Sequence, residues 1–171
     1  GRHVPVSLVV SAMRDAHGRI TGYLGIAEDI TERKAAEREL RESEQRFRTM
    51  LETSPIAARI ARLGGREVIF SNRRYAELIN TAADEVTGLD PSAYYARPAD
   101  YEDIVLRLGR GEQIFDKLIE LAIPGVGTKW TLASYLLIQY QVETAVLGWF
   151  YDITEHKRAE AALAEQAQQT Q

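Results

Sequence analysis

The order of apolar and polar positions divides the chain into strand-like and helix-like stretches. Residues 4–13 and 20–28 are rich in β-branched and apolar residues, which predicts a hairpin with its turn at residues 15–19. Residues 29–52 contain neither glycine nor proline and are mostly charged, which predicts one long helix. Because two strands alone are marginal in water, we expect residues 1–28 to be the end of an upstream domain.

The following residues, 53–152, change to a pattern of short elements. Ser54-Pro55 ends the long helix, because the residue before a proline avoids the helical region. Two short strands, several short helices and three longer strands then follow, with turns at Gly64-Gly65 and at residues 124–127. This order predicts an α+β domain. The predicted strands cover residues 56–63, 67–71, 114–123, 129–140 and 146–151, and the predicted helices cover residues 72–79, 92–96 and 98–108.

One strand-to-helix junction occurs twice in the chain. Residues 24–34 recur without a gap as residues 147–157, and each copy passes from an apolar run through Asp-Ile-Thr-Glu into a charged helical run. The first copy has the N-cap and N3 spacing of a capping box, with Asp29 as the N-cap. We interpret each junction as a helix cap that also acts as a mechanical joint between strand and helix. The predicted joint residues are Asp29, Thr31, Asp152 and Thr154.

The helix at residues 29–52 carries a narrow apolar seam with heptad spacing. Isolated, such a helix would leave its larger apolar side chains bare, so the seam predicts pairing with a second copy of the chain. The alternative is a single solvated helix. The expected assembly is a homodimer, with parallel and antiparallel arrangements left open. The predicted seam residues are Ala36, Leu40, Phe47 and Met50.

Four segments, in this order, resemble the PAS family of sensory domains over roughly residues 44–157. They are residues 47–55 (FRTMLETSP), residues 68–72 (VIFSN), residues 94–103 (YYARPADYED) and residues 148–154 (GWFYDIT). The resemblance implies a five-stranded antiparallel sheet with short helices on one face, flanked by N- and C-terminal linker helices. The implied organisation is the C-terminal hairpin of an upstream PAS domain (1–28), a coiled-coil-like linker helix (29–52), a PAS domain (53–152) and the start of an output helix (153–171).

The same resemblance implies a cytoplasmic sensory and dimerisation module of a bacterial signalling protein. Such modules bind a small ligand or a partner and pass the result through linker helices to an output enzyme. The expected output is a histidine kinase, with a diguanylate cyclase or another cyclase as the alternative, and the parent protein is allowed a membrane anchor. A ligand-free structural spacer is a second alternative. No catalysis is expected of the chain itself, because no nucleophile–base pair or phosphate-binding glycine loop is evident.

Composition limits the cofactors and partners that the sequence allows. The chain has 171 residues, no cysteine and a net charge of −4. Without cysteine, a cysteinyl-flavin adduct and thiolate metal sites are excluded. The three histidines (His3, His17 and His156) lie outside the predicted domain, which argues against histidine-ligated haem. We therefore expect no metal and no resident cofactor, no binding of nucleic acid to an acidic chain, and no direct membrane contact.

A small-molecule site remains possible between the sheet and the short helices, where the resemblance places PAS pockets. Tyrosine and tryptophan combine an apolar body with a polar group, as ligand pockets require. The alternative is that these residues fill the core. Three arginines, Arg59, Arg73 and Arg74, are candidates for binding a carboxylate, with solvated surface as the alternative. The predicted pocket residues are Tyr94, Tyr101, Phe115, Trp130 and Tyr135, with Tyr95 and Tyr140 as further candidates.

Overall fold

The computed structural model describes residues 1–64 and 66–169. It divides into two compact units, a hairpin unit (Gly1–Thr49) and a sheet unit that begins at Met50. One turn glycine, Gly65, and the last two residues of the predicted output helix lie outside the described residues. Each unit is described by itself below.

The hairpin unit consists of two antiparallel strands and a long helix. Strand β1 (Val6–Arg14) pairs with β2 (Ile20–Asp29), and helix α1 runs over Thr31–Glu52, its last residues belonging to the sheet unit. The turn is stabilised by Asp15, whose carboxylate accepts hydrogen bonds from the amides of His17 and Arg19. Gly18 takes a positive φ of 79°, which glycine adopts without steric cost.

The strand register of the hairpin corrects one grouping made from the sequence. The apolar residues of the two predicted strands predict one apolar face that docks on another sheet or on a partner chain, formed by Val6, Leu8, Val10, Leu24 and Ile26. Val9 is paired with Ile26, whereas Leu8 is paired with Ala27. Because paired residues share a face and alternate along each strand, Leu24 and Ile26 lie on the face opposite to Leu8. Both faces of the hairpin are therefore apolar, and these five side chains are all exposed.

The sheet unit contains five antiparallel strands in the order β4-β3-β7-β6-β5. Strand β3 lies between the short edge strand β4 and the last strand, β7, so the beginning and the end of the unit are neighbours in the sheet. The strands are β3 (Ala57–Arg62), β4 (Val68–Ser71), β5 (Ile114–Ile123), β6 (Gly127–Tyr140) and β7 (Glu143–Asp152).

Short helices lie between β4 and β5 and bury the core against one face of the sheet. The longest of them, α3, buries Tyr101, Ile104 and Leu108 at helical spacing. We refer to the covered face of the sheet as the inner face. The helical segments are α2 (Arg73–Leu78), two 3-10 turns (Ala83–Glu85 and Pro91–Tyr94) and α3 (Pro98–Gly109), and α4 (Thr154–Gln169) leaves the unit after β7.

The α+β fold expected from the sequence is confirmed, including the five-stranded antiparallel sheet and the two flanking helices. The largest differences in bounds lie at the last hairpin. Strand β6 ends at Tyr140 as predicted, but β7 begins at Glu143, three residues earlier than predicted, which leaves a two-residue connection in place of the longer predicted turn. Gln141 there has a positive φ of 56°, as tight hairpin turns require.

Candidate functional site

A buried arginine, Arg59, occupies the centre of the inner face. It lies in β3 opposite Gly148 of β7, and its side chain is 1% exposed. The residues two positions away on the same face are Ala57 and Ala61, whose small side chains leave room for a long one. The sheet therefore carries a full positive charge into its own core.

Aromatic side chains from four separate segments surround the guanidinium. We call the set the core cluster and define it as Arg59, Tyr75, Tyr95, Tyr135 and Phe150. The Arg59 Cζ atom lies 5.8 Å from the centre of the Tyr75 ring and 5.3 Å from that of Phe150, within the range of cation–π attraction. The Phe150 ring also meets the Tyr135 ring edge-on, with 5.6 Å between centroids.

Two tyrosine hydroxyls complete the polar part of the cluster. Arg59 Nη2 donates to the Tyr95 hydroxyl at 3.2 Å, and the hydroxyls of Tyr95 and Tyr135 share a hydrogen bond of 2.6 Å. Burial raises the pKa of Tyr75 and of Tyr135, so both phenols stay neutral at physiological pH. Burial acts to lower the pKa of Arg59 and the surrounding tyrosines raise it, with a net increase, so the guanidinium remains a cation.

Within the described part of the chain, the charge of Arg59 is not paired with an acidic side chain. Among the described residues, the buried polar or charged side chains are Arg59, Asn72, Thr131 and Thr154, and none is an acid. The Arg59 Nε–H group is buried and has no hydrogen-bond partner among residues 1–64 and 66–169. A buried charge without a partner costs several kcal/mol, so the arrangement is expensive unless another group completes it.

The structure separates the predicted pocket residues. Tyr101 and Tyr135 are buried in the core, and Tyr94 is half-buried. Trp130 lies on the outer face of the sheet, because Thr131 and Ala133 are the inner-face residues of β6. Placing Trp130 in an inner-face pocket was therefore wrong.

Phe115 also departs from its predicted place. A bulge in β5 between Ile114 and Lys117, at which Asp116 takes a φ of 49°, resets the alternation of the strand. Phe115 is consequently 62% exposed and does not line the core. Tyr140 is half-buried and packs against Phe70, with 6.5 Å between the ring centroids, away from the core cluster.

The three candidate arginines likewise separate by burial. Arg73 and Arg74 lie on the exposed surface of α2 and pair with Glu77, as solvated side chains do. Only Arg59 is inside. The sequence did contain a local sign of this, since Arg59 lies between Ala58 and Ile60 in a mostly apolar stretch, where an arginine is unusual.

A residue that the sequence did not single out, Asn72, ties the incoming helix to the sheet. Its side-chain oxygen accepts from the amides of Ala58 and Tyr75, each at 3.0 Å. Its side-chain nitrogen donates to the carbonyls of Leu51 and Ile56, each at 2.9 Å. All four hydrogen bonds of a buried amide are therefore used to join the end of α1, the start of β3 and the start of α2.

The outgoing joint connects β7 to α4 and is anchored to β6. Asp152 Oδ1 accepts from the Thr154 amide at 2.9 Å and from the Thr154 hydroxyl at 2.6 Å. Thr154 Oγ1 in turn accepts from the Trp130 amide at 3.0 Å, and the Ile153 amide donates to the Trp130 carbonyl at 2.8 Å. The backbone of Trp130 thus holds the first turn of α4 on both sides.

The incoming joint repeats the aspartate–threonine contact. Asp29 Oδ1 accepts from the Thr31 amide at 2.9 Å and from the Thr31 hydroxyl at 2.5 Å. The Asp29 contact is an Asx-type turn that precedes the helix. The expected capping box was wrong in this respect, because the helix begins at Thr31 and Asp29 therefore lies one residue before the N-cap position.

The predicted seam residues lie on α1 with different exposure. Leu40 and Met50 are 62% and 60% exposed, Ala36 is exposed, and Phe47 is half-buried. No helix in the described part of the chain is long and apolar enough to cross a bilayer. Within residues 1–64 and 66–169, no three His, Asp or Glu side chains gather as a metal site.

An open groove of about 300 Å³ lies beside the outgoing joint, at the end of β7 and against α2. Two cations and two carboxylates line it, so its charge is balanced. Phe150 belongs to both the groove and the core cluster. The lining consists of Pro55, Ile56, Ala57, Arg74, Glu77, Leu78, Lys129, Phe150, Tyr151 and Asp152, and none of the five predicted pocket residues is among these described residues.

Comparison with solved structures identifies the fold. The chain is similar to the PAS domain of an HTR-like protein from Haloarcula marismortui, with 18% identity and a TM-score of 0.52 over 70% of this chain and 99% of that one. It is also similar to the PAS domain of nitrogen regulation protein NR(II) from Vibrio parahaemolyticus, with 16% identity and a TM-score of 0.53 over 62% and 96% of the two chains.

A third similar structure is a PAS domain from a two-component sensor histidine kinase, with 8% identity and a TM-score of 0.53 over 68% of this chain and 98% of that one. No family model matches the sequence, and no curated protein matches it either. The chain therefore has the PAS fold.

Proposed function

We propose that this chain is a PAS sensory and dimerisation module of a multi-domain bacterial signalling protein. The observation that carries the proposal is the PAS fold combined with a strand-to-helix joint of the same residues in both units. A histidine kinase is the proposed output, because one similar PAS domain belongs to a two-component sensor histidine kinase. The module itself performs no catalysis and works in the cytoplasm.

The proposed relay runs from α1 through the sheet to α4. Asn72 joins the end of α1 to β3, because its side chain donates to the Leu51 carbonyl and accepts from the amide of Ala58, the residue before Arg59. Strand β3 is hydrogen-bonded along its length to β7, and β7 ends at Asp152 of the outgoing joint. A change in the core cluster is thereby connected to both helices through backbone and buried side-chain hydrogen bonds, as a bistable relay requires.

The proposed output geometry is a pair of helices from two copies of the chain. Leu40 and Met50 are large, exposed and in heptad register, which supports pairing of α1. Leu40→Glu should weaken the dimer by placing charge in the seam, and Gln45→Glu adds the same charge on the opposite side of the helix as a control. Light scattering should show a lower mass at micromolar concentration for the first variant only. An unchanged mass for Leu40→Glu would remove the seam from the proposal.

The relay is tested by spin labels on α4. The chain contains no cysteine, so Ala162→Cys gives one label per subunit. Dipolar spectroscopy should show a narrow distance distribution between subunits, which Thr154→Val broadens and the exposed-loop control Thr87→Val leaves intact. A distribution that is already broad in the parent protein would refute the relay.

The second candidate function is a constitutive spacer that only holds two output domains in register. The tight packing of the core favours it, since the hydroxyls of Tyr95 and Tyr135 lie within 2.6 Å of each other. A spacer and a sensor differ in whether the core binds a ligand.

A further inference from the structure

We propose that the core cluster binds a small carboxylate whose oxygens pair with the guanidinium of Arg59. The proposal rests on the sensory function proposed above and specifies its ligand. It follows from the hydrogen bonds and charges inside the sheet unit, where donors are in excess and an anion is missing.

The hydrogen-bond donors around Arg59 outnumber the acceptors that the described residues offer them. Its Nε–H has no acceptor. The hydroxyls of Tyr95 and Tyr135 contain two hydrogens but share one hydrogen bond, and the bond from Arg59 occupies only an acceptor position on Tyr95. Whichever phenol donates to the other, one hydroxyl hydrogen is left over within the described contacts. The site thus has two unused donors next to a full positive charge.

A carboxylate is the acceptor that best fits the unused donors of Arg59. The Nε and Nη edge of a guanidinium matches the two oxygens of a carboxylate in a planar, bidentate arrangement. A carboxylate would also supply the negative charge that the buried residues lack. A neutral acceptor such as an amide or a water would satisfy the hydrogen bond but not the charge.

The packing around Arg59 limits how a ligand reaches it and how large that ligand can be. The Phe150 ring lies against Arg59 on one side and lines the open groove on the other, so it separates the guanidinium from solvent. This close packing depends on Gly148, where an added Cβ would lie 3.1 Å from the Phe150 ring and 3.3 Å from Tyr135. A ligand that enters past one ring into a packed core must be small, with a short apolar body beside Phe150 and Tyr75.

The position of Phe150 links the ligand to the relay. Phe150 precedes Asp152 by two residues on β7, and both belong to the lining of the groove. Displacement of the ring by a ligand would therefore act on the end of β7 that holds the first turn of α4.

The test uses the chain as described here, with sodium propionate as the probe and propionamide as its uncharged counterpart. Titration at constant ionic strength, with chloride as the replaced anion, is followed by the ¹H–¹⁵N signal of the Arg59 Nε–H group. We expect a saturable shift of this signal with propionate and none with propionamide. No saturable shift up to about 100 mM propionate, or an equal shift with propionamide, would overturn the proposal.

Two variants test whether Arg59 is the binding group. Arg59→Lys keeps the charge but loses the planar fork, and we expect propionate affinity measured by calorimetry to fall at least about tenfold. Arg73→Gln alters an exposed arginine of α2 and should change the affinity less than twofold. Equal binding by Arg59→Lys and the parent protein would overturn the assignment. If Arg59→Lys does not fold, the parent Nε–H titration decides the matter alone.

Failure of this inference is distinguishable from failure of the proposed function. The Arg59 signal could fail to respond to propionate while the distance distribution between α4 labels is narrow and broadens in Thr154→Val. That result would contradict carboxylate binding and support the relay. A saturable Arg59 signal combined with unpaired α4 helices would remove the relay and keep the binding site.

Discussion

The two strand-to-helix joints contain the same aspartate and threonine, but the neighbouring strand gives them different support. In the outgoing joint, the Trp130 backbone accepts from Ile153 and donates to Thr154. In the incoming joint, the equivalent carbonyl belongs to Pro5 and accepts from Ile30 at 3.1 Å. Proline has no N–H group, so the bond from the strand to the threonine hydroxyl cannot form there.

The difference is also one of burial and of what each joint can transmit. Thr154 is 7% exposed, whereas Thr31 is half-buried. A helix held by the strand on two sides follows movements of the sheet more closely than one held on one side. The comparison therefore predicts that the outgoing joint is the stiffer of the two.

Thr154→Val should give the largest effect. It leaves the partly buried Trp130 amide without its Thr154 acceptor, which costs about 1–3 kcal/mol. Urea unfolding followed by tryptophan fluorescence measures the loss, because both tryptophans lie in the sheet unit. Thr31→Val leaves no strand amide unpaired. Hydrogen exchange of the Lys34 amide in Thr31→Val should therefore change much less than exchange of the Lys157 amide in Thr154→Val. Equal changes in the two amides would contradict the comparison.

Asp152→Ala should come next, with a loss of about 1 kcal/mol that is typical for removing a side-chain hydrogen bond. Thr154 keeps its bond from Trp130 in this variant, so the first turn of α4 stays partly held. In Asp29→Ala, the Thr31 hydroxyl loses the Asp29 carboxylate as its acceptor, and no strand amide donates to it. Exchange protection of the Lys34 amide should therefore fall by a larger factor than that of the Lys157 amide in Asp152→Ala. A larger loss of protection at Lys157 than at Lys34 would show that the aspartate contributes more in the joint where the strand already holds the threonine.

The pH dependence of the incoming joint follows from Asp29. The Thr31 hydroxyl, and then the Thr31 amide, lower the pKa of Asp29 below its usual value of 3.8. A carboxylate with a lowered folded-state pKa stabilises above its unfolded pKa, and this contribution is lost as pH falls through the folded pKa. Protection of the Lys34 amide should thus be constant between about pH 7 and 5 and decrease below about pH 4.

A carboxyl ¹³C titration of Asp29, in the parent protein and in Thr31→Val, tests the cause of this pH dependence. Thr31→Val should raise the pKa of Asp29 toward its ordinary value, because the hydroxyl donor is the larger cause of the shift. An unchanged pKa in Thr31→Val would mean that the hydroxyl contact does not persist in solution.

Pro5→Ala should give the smallest effect and would make the incoming joint more like the outgoing one. The variant introduces an amide opposite the Thr31 hydroxyl, and that new amide should be protected from exchange. Any local gain is offset by the greater freedom of the unfolded chain, typically about 0.4–1 kcal/mol for loss of a proline. Fast exchange of the new amide would show that the two strands approach their threonines differently.

The core cluster shows how far a sequence reading reaches. The alternation of apolar residues predicted β5, but the bulge at Asp116 that turns Phe115 outward has no clear sign in the residue pattern. Trp130 was predicted for the pocket by its chemistry, although its parity in β6 places it on the other face. Arg59 was one of three candidate arginines in the sequence and became distinct only when the sheet closed around it.

The sequence by itself determined the repeated joint, the long helix and the succession of strands and helices along the chain, because each follows from local periodicity and from residues close together in the chain. Tertiary structure alone decided which face each strand presents, which strand amide reaches Thr154, and that Arg59 is buried without an acid. These depend on register and on contacts such as that of Arg59 with Tyr95, whose residues lie far apart in sequence. Periodicity fixes which residues can share a face, but the free energy of a buried charge depends on neighbours that only the fold brings together.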